Sequence, residues 1–289
     1  MKILITGAKG QLGLKLKEIL SSDFDLVLTD SDDMDITDKN KVDEVIGREK
    51  PDFIIHAAAY TQVDKAEENK ELCMKINAEG TKNVAQIADK YGCALLYIST
   101  DFVFDGAKQV PYTEEDEPNP LSVYAESKYI GEKDIASLCD KYYILRVAWL
   151  FGELPEGHPG TNFVETMLKL ASERDSLAVV SDQVGSPTYT GDLVEVINKI
   201  INTPDSQPPT PYGLYHFSGE GECSWYDFAK EIFKQSGVTI DLKPIESERY
   251  PQKAKRPPYS YLDKTKIKSE LKMEVRSWRE MLKEYLSRR

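Results

Sequence analysis

Met1-Lys2-Ile3-Leu4-Ile5-Thr6-Gly7-Ala8-Lys9-Gly10-Gln11-Leu12-Gly13 opens the chain and sets its fold. Lys2 to Thr6 is a β-branched and aliphatic run without polar alternation, which predicts a strand buried on both faces. Leu14, Leu16, Ile19 and Leu20 then recur at helical spacing. A strand, a glycine turn and a helix start leave free amides at a helix N-terminus, an anion site that suits a pyrophosphate. Gly7 serves the tight turn, Gly10 the close approach of the ligand, and Gly13 the packing of helix on strand. An ordinary glycine-bearing turn has the same local pattern, so residues further along must decide between the two.

Composition narrows the field. The chain has 289 residues, enough for one large or two modest domains, with apolar and charged fractions of an ordinary globular protein. Its net charge of −12 is spread through interspersed acidic and basic residues, which argues against nucleic acid or an anionic membrane as the main partner. Cys73, Cys93, Cys139 and Cys223 show no CxxC spacing and no histidine clustering, so neither a disulfide scaffold nor a metal site is expected. A strand beginning at residue 2 leaves no room for a signal peptide, and no apolar run approaches ~18 residues. A cytoplasmic protein is expected.

Leu26 to Thr29 reads as a second buried strand ending on Asp30. The spacing from the glycine loop is what a dinucleotide fold uses to hydrogen-bond the adenosine ribose. A carboxylate there repels a 2′-phosphate and leans toward NADH, Lys9 nearby offsets part of that, and a strand-end acid also caps turns. NADH and NADPH therefore both stay open. Phe53 to His56 is a third strand, followed by the small residues Ala57-Ala58-Ala59 and by Tyr60-Thr61, over which a flat ligand can lie. His56 reads as a packing residue. In the helix over Leu72–Lys90, Asn77 either bridges loops from inside or sits on the surface. Ala94 to Ile98 is a fourth strand, running into Ser99-Thr100-Asp101-Phe102.

Alternating strands and helices predict an α/β fold, a doubly wound parallel (Rossmann) sheet with ligands at the carboxyl ends of the strands. The expected layout is a dinucleotide-binding domain over 1–150 and a smaller α/β substrate domain over 151–289, with segments near 181–218 returning to the first. Tyr215-His216-Phe217 is such a returning strand. Ser224 caps a helix over Trp225–Phe233, and 203–211 is a proline-rich surface loop. Arg256 precedes two prolines and is held extended, either to meet a diphosphate or as a solvent-facing loop residue.

Tyr124 and Lys128 lie four apart in one predicted helix and share a face. A phenol ordinarily titrates near ~10, too high for acid–base work at neutral pH. An ammonium one turn away should draw it down.

Gly7-x-x-Gly10-x-x-Gly13, Ser99-Thr100-Asp101 and Tyr124-x-x-x-Lys128, in this order, resemble the extended short-chain dehydrogenase/reductases, and within them the dTDP-4-dehydrorhamnose reductase family. Ala57 to Glu67, Tyr97 to Gly106, Arg146 to Leu150, Asn162 to Val164, Asp182 to Thr188 and Arg256-Pro257 carry the likeness across nearly the whole chain. Phe102 departs from it, since that position usually holds a tyrosine. The resemblance implies reduction of the 4-keto group of a nucleotide-linked 6-deoxyhexose with NADH or NADPH, and a possible homodimer. It implies Gly7, Gly10, Gln11, Leu12, Gly13, Asp30, Asp35, Ile36, Ala59, Tyr60 and Thr61 along the cofactor, with Tyr124 and Lys128 reaching it. Thr100, Asp101 and Trp149 would face the sugar, with Arg256 on the diphosphate. Thr100, Tyr124 and Lys128 would be catalytic. Nucleotide-sugar epimerases share this fold. A dehydratase would want an acid where Phe102 stands. The regulatory subunit of methionine adenosyltransferase also shares the fold, but the three catalytic residues present here argue for retained chemistry.

Overall fold

A computed structural model describes residues 1–202 and 210–289; the segment read as a proline-rich loop lies for the most part outside these. Six strands form the central sheet: β1 (Lys2–Thr6), β2 (Asp25–Thr29), β3 (Phe53–His56), β4 (Ala94–Thr100), β5 (Tyr142–Val147) and β6 (Gly213–Phe217). Their spatial order is β6-β5-β4-β3-β1-β2, and every neighbouring pair is parallel. The doubly wound sheet expected from the alternating pattern is present, and Tyr215-His216-Phe217 joins it as its edge strand. The chain leaves β1 toward β2 on one side and returns to β3 on the other, so the topological switch point lies between β1 and β3. Ligands of such sheets bind in the crevice that opens there.

Both faces of the sheet are covered, as uninterrupted apolar strands require. Ile3 and Ile5 point to one face, where they meet α1 (Gln11–Leu20) and a helix over Thr190–Ile201 through Leu16, Leu20, Val194 and Ile197. Leu4 points to the other, with Val42 and Ile46 of α2 (Lys39–Glu49), Val84 and Ile87 of α3 (Thr81–Tyr91), and Ile135 of α4 (Val123–Leu138). Outside the sheet, three short ladders organise the later part of the chain. Leu150–Phe151 pairs with Thr188–Tyr189, Val184–Gly185 with Cys223–Ser224, and Ser176–Val180 with Asp241–Ile245. Ser224 caps the Trp225–Ser236 helix in a reciprocal box with Asp227, three residues longer than its apolar pattern suggests.

The helix expected over Leu72–Lys90 is not uniform. Lys70–Met74 and α3 are α-helical, and Lys75–Gly80 between them is a π-helical turn. Such bulges carry one residue too many for the α ladder and turn side chains inward at functional places. Here the side chain turned inward is Asn77, which is buried.

Gly13 has no room for a side chain: a Cβ there would lie 2.3 Å from the Gly7 carbonyl oxygen and 2.6 Å from Ala8 Cα. Gly13→Ala should therefore force the glycine loop off α1 and cost about 1–3 kcal/mol, as overpacking of a filled interior does. Denaturant unfolding monitored by circular dichroism measures it, and an unchanged midpoint would refute this close-packing account.

Candidate active site

The loops at the carboxyl ends of the parallel strands converge at the switch point. Gly7 takes φ +68°, and a Cβ on it would lie 2.8 Å from both the N and Cα atoms of Ala58, so the loops after β1 and β3 touch backbone to backbone. His56 holds them together from below. It is fully buried between the Thr6 and Thr81 hydroxyls, at 2.7 and 3.1 Å, and stacks on Tyr97. Burial, with the charge of Lys128, pushes its pKa down to about 3, so the ring is a neutral packing group. Thr6 Oγ1 also accepts the Ala58 amide (3.1 Å).

Above this seam α1 presents its N-terminus. Gly10 is the N-cap and supplies no side-chain cap, and the first turn holds no acid. The first amides of α1 therefore have neither a side-chain cap nor an acid on them, as a helix N-terminus that takes a pyrophosphate requires. Asp30, at the end of β2, accepts the Lys9 amide (3.0 Å) and the Ser31 amide (2.8 Å), so it does cap its turn. Its carboxylate retains acceptor capacity beyond these two bonds. The Lys9 ammonium is paired with Asp32 rather than with Asp30. Asp35 is exposed and caps its own turn at Thr37, while Ile36 is buried against Gly80 with its carbonyl taken by Asn83.

The Ala57–Thr61 loop is held by Asn77. Its Oδ1 accepts the Tyr60 amide (2.7 Å), and its Nδ2 donates to the Tyr60 carbonyl (3.1 Å) and to the Ser127 hydroxyl (3.0 Å). The loop reading of Asn77 is the right one, and it ties the loop to the helix that carries Tyr124 and Lys128. Two further contacts had no local signal in the sequence. Asn162 Nδ2 donates to Gln11 Oε1 (3.2 Å), and His158 Nε2 donates to the Lys9 carbonyl (2.9 Å), so the chain near 158–162 crosses the glycine loop.

Thr100, Asp101, Tyr124 and Lys128 are brought together at the end of β4. The Thr100 hydroxyl, near the Tyr124 phenol, donates to Asp101 Oδ1 (3.3 Å) and accepts the Phe102 amide (3.2 Å). The Phe102 ring meets Tyr124 edge-on. Asp101 is buried, accepts a hydrogen bond from the Ser260 hydroxyl (2.5 Å), and is pushed up to about 7, burial outweighing its hydrogen bonds. Beneath them Glu132 forms two hydrogen bonds with Arg146, at 2.9 and 2.6 Å, and accepts the Ser99 hydroxyl; all three side chains are buried.

The expected effect of Lys128 on Tyr124 is not what the structure shows. The ammonium lies 4.0 Å from the centre of the Tyr97 ring, over its face, and the charges acting on the phenol are those of Asp101 and Cys73. Burial raises the Tyr124 pKa against the lowering influence of Thr100, so the phenol keeps the proton that it already holds at neutral pH. Burial also takes Lys128 down to about 7, against the pull of Glu132. An i,i+4 spacing puts two residues on one helix face, but water exclusion outweighs the pairing here.

Trp149 and Arg256 are both partly committed within the chain. Trp149 sits at φ +47°, an uncommon backbone for a bulky residue, and stacks face to face on Trp225 at 3.6 Å. Gly185 makes room for it, since a Cβ there would lie 2.8 Å from the indole. Arg256 pairs with Asp64 at 2.7 Å.

A glycine loop at the switch point of a parallel sheet, followed by a threonine, a tyrosine and a lysine around one strand end, defines a dinucleotide-binding fold of the short-chain dehydrogenase/reductase type. The chain belongs to the family described as the RmlD substrate binding domain, which matches residues 1–289. It is 42% identical over 290 residues to a dTDP-4-dehydrorhamnose reductase of Aggregatibacter actinomycetemcomitans, covering 98% of this chain and 97% of that one. It is 40% identical over 289 residues to the spore coat polysaccharide biosynthesis protein SpsK of Bacillus subtilis, covering 100% and 98%. A crystal structure of dTDP-4-dehydrorhamnose reductase from Bacillus anthracis in complex with NADP superposes with a TM-score of 0.94 at 40% identity, covering 100% of this chain and 99% of that one.

Lys128 makes stability depend on pH with a definite sign. Its folded-state value of about 7 lies below the 10.5 of an ordinary lysine. Between these two values the unfolded chain holds the proton that the folded chain has shed, so stability rises with pH across the window. Lys128→Met removes the buried amine and should raise the melting temperature most at pH 7 and below, the gain fading toward pH ~10. Thermal melts across that range check it, and a gain independent of pH would contradict burial as the cause.

Proposed function

We propose that this protein reduces the 4-keto group of dTDP-4-dehydro-L-rhamnose to the alcohol of dTDP-L-rhamnose with NADH or NADPH. The observation that carries the reading is the gathering of Thr100, Asp101 and the Tyr124 phenol at the carboxyl end of β4, on the ligand edge of a dinucleotide sheet. The relatives named as dTDP-4-dehydrorhamnose reductases over nearly their full length support the substrate. NADP in the Bacillus anthracis enzyme supports a nicotinamide dinucleotide.

A bound nicotinamide supplies the hydride. Turning a ketone into an alcohol also needs one proton at oxygen, and a group that donates it must start protonated. A phenol, titrating near ~10, starts in that state at neutral pH, so Tyr124 can donate, and Thr100 beside it steadies the same oxygen as charge develops on it. Lys128 would reach the nicotinamide ribose. Loss of its contact with water is what brings its proton near neutral exchange, and Glu132 on the next turn supports the charged form. The amides at the start of α1 would hold the pyrophosphate, with Asp30 on the adenosine ribose and Ala59, Tyr60 and Thr61 beneath the dinucleotide. The segments beyond residue 151 that lie outside the main sheet would cover the sugar, with Asp101 and Trp149 toward it and Arg256 toward the diphosphate. Four free, buried cysteines suit a reducing cytoplasm.

Tyr124→Phe keeps the ring against Phe102 and removes only the hydroxyl. NADPH binding should match the parent, while turnover on the 4-keto sugar should fall roughly 10²–10⁴-fold, the usual contribution of a positioned general acid. Steady-state kinetics with a parallel fluorescence titration of the cofactor decides it. Near-parental turnover would remove Tyr124 from the chemistry, and a parent inactive on every 4-keto nucleotide sugar would overturn the reductase reading.

Asp30→Ala should weaken NADH more than NADPH, because the lost carboxylate both accepts from a ribose and repels a 2′-phosphate. Titration of both cofactors tests this, and equal losses would restrict Asp30 to its turn-capping bonds with Lys9 and Ser31.

A further inference from the structure

Residues 253–260 run across the ligand edge of the sheet as a strap, and one carboxylate far away in sequence holds its first part. Asp64 Oδ1 accepts the backbone amides of Lys253 (3.0 Å) and Ala254 (3.1 Å). The Arg256 guanidinium grips the same carboxylate end-on, Nη1 to Oδ1 at 3.2 Å and Nη2 to Oδ2 at 2.7 Å. Asp64 belongs to the short Val63–Ala66 helix that follows the Ala57–Thr61 loop, so the grip is made just beyond the loop that leaves β3. At the other end Ser260 is fastened to Asp101. Four hydrogen bonds to one partly exposed carboxylate exceed what a surface ion pair needs, since isolated exposed pairs add little stability.

The use made of Arg256 is more specific than a clasp. A guanidinium has five N–H groups in a rigid fork. Two go to Asp64, and Nη1 also donates to the Ala254 carbonyl (3.4 Å). The Nε–H and the second Nη2–H lie along the other edge and have no partner among the described residues. That edge is the pair of parallel donors that a phosphate oxygen pair takes bidentately.

We infer that Asp64 is a positioning residue for substrate: by holding the end-on edge of Arg256 and the Lys253–Ala254 backbone, it turns the side-on edge of Arg256 toward the diphosphate of the nucleotide sugar. The inference rests on the reading of Arg256 as the diphosphate contact. Asp64 itself touches no substrate, and its negative charge is already answered by four donors. Burial alone would push its carboxyl up, but Arg256 and the two amides outweigh that and hold it below the usual carboxylate range.

The test is binding of dTDP to the full chain with NADPH present, alongside steady-state kinetics on the 4-keto sugar. Asp64→Asn should weaken dTDP binding about tenfold and raise KM in step, as loosening one charge-assisted clamp does, with the loss absent from kcat and from NADPH affinity. On an Arg256→Ala background the same substitution should add nothing, because its effect passes through the arginine. Parental dTDP affinity in Asp64→Asn overturns the inference, and so does an undiminished further loss on the Arg256→Ala background. Parental dTDP affinity in Arg256→Ala overturns it too, by removing the contact on which it rests. A parent that binds dTDP but does not reduce the sugar would count against the reductase reading alone, since the titration still judges Asp64. Asp64→Glu keeps the charge and moves it by one methylene; if the asparagine variant does not fold, weakened dTDP binding by the glutamate variant supports the inference and parental binding overturns it.

Discussion

The ligand edge depends on an absence of side-chain atoms where β1 and β3 part. Gly7 meets the Ala58 backbone at a distance no Cβ tolerates, and Gly13 meets the Gly7 carbonyl more closely still. Only with those volumes empty can α1 start against the sheet and aim its first amides into the crevice. Thr6, His56 and Thr81 then fix the seam from below with hydrogen bonds among buried groups, which are costly to leave unpaired. The buried histidine is neutral because water cannot reach it, and a neutral imidazole can accept from one side and donate to the other.

A second buried construction sets the other half of the site. Arg146 on β5 and Ser99 on β4 converge on Glu132 of α4, one helical turn beyond Lys128. Two desolvated charges facing each other are weak evidence for stability, since an apolar pair often serves as well. Their geometry supplies direction: two strands and one helix are locked in register directly beneath Thr100, Tyr124 and Lys128. Asn77 does the same from the neighbouring π turn, tying the Tyr60 loop to α4.

Desolvation rather than charge pairing governs the protonation states in this pocket. It raises Tyr124 and Asp101 and lowers Lys128 and His56. The phenol therefore holds its proton at neutral pH, as a free phenol also does, and is a weaker acid than a free one. The same exclusion of water strengthens the hydrogen bond from Thr100 when charge develops on a nearby oxygen.

Much of this was legible in the order of residues. Buried strands announce themselves as unbroken apolar runs, and the glycine turn gained its meaning from the strand ends that follow it, so the parallel sheet, its first helix and the ligand edge followed from local patterns taken together. Tyr124 and Lys128 could be placed on one helix face by counting. Three things could not be counted. The π turn that turns Asn77 inward is set by packing against α4, where Gly131 admits the Tyr97 hydroxyl and the Asn77 carbonyl. The contact of Asn162 with Gln11 and the grip of Asp64 on Arg256 join residues 151 and 192 positions apart, and no local rule reaches that far. The sign of the Tyr124 shift depends on how much water the folded chain leaves around a phenol. The sequence by itself determined which groups are present and which share an element; the tertiary structure alone decided which are dry, because burial is a property of all the surrounding chain.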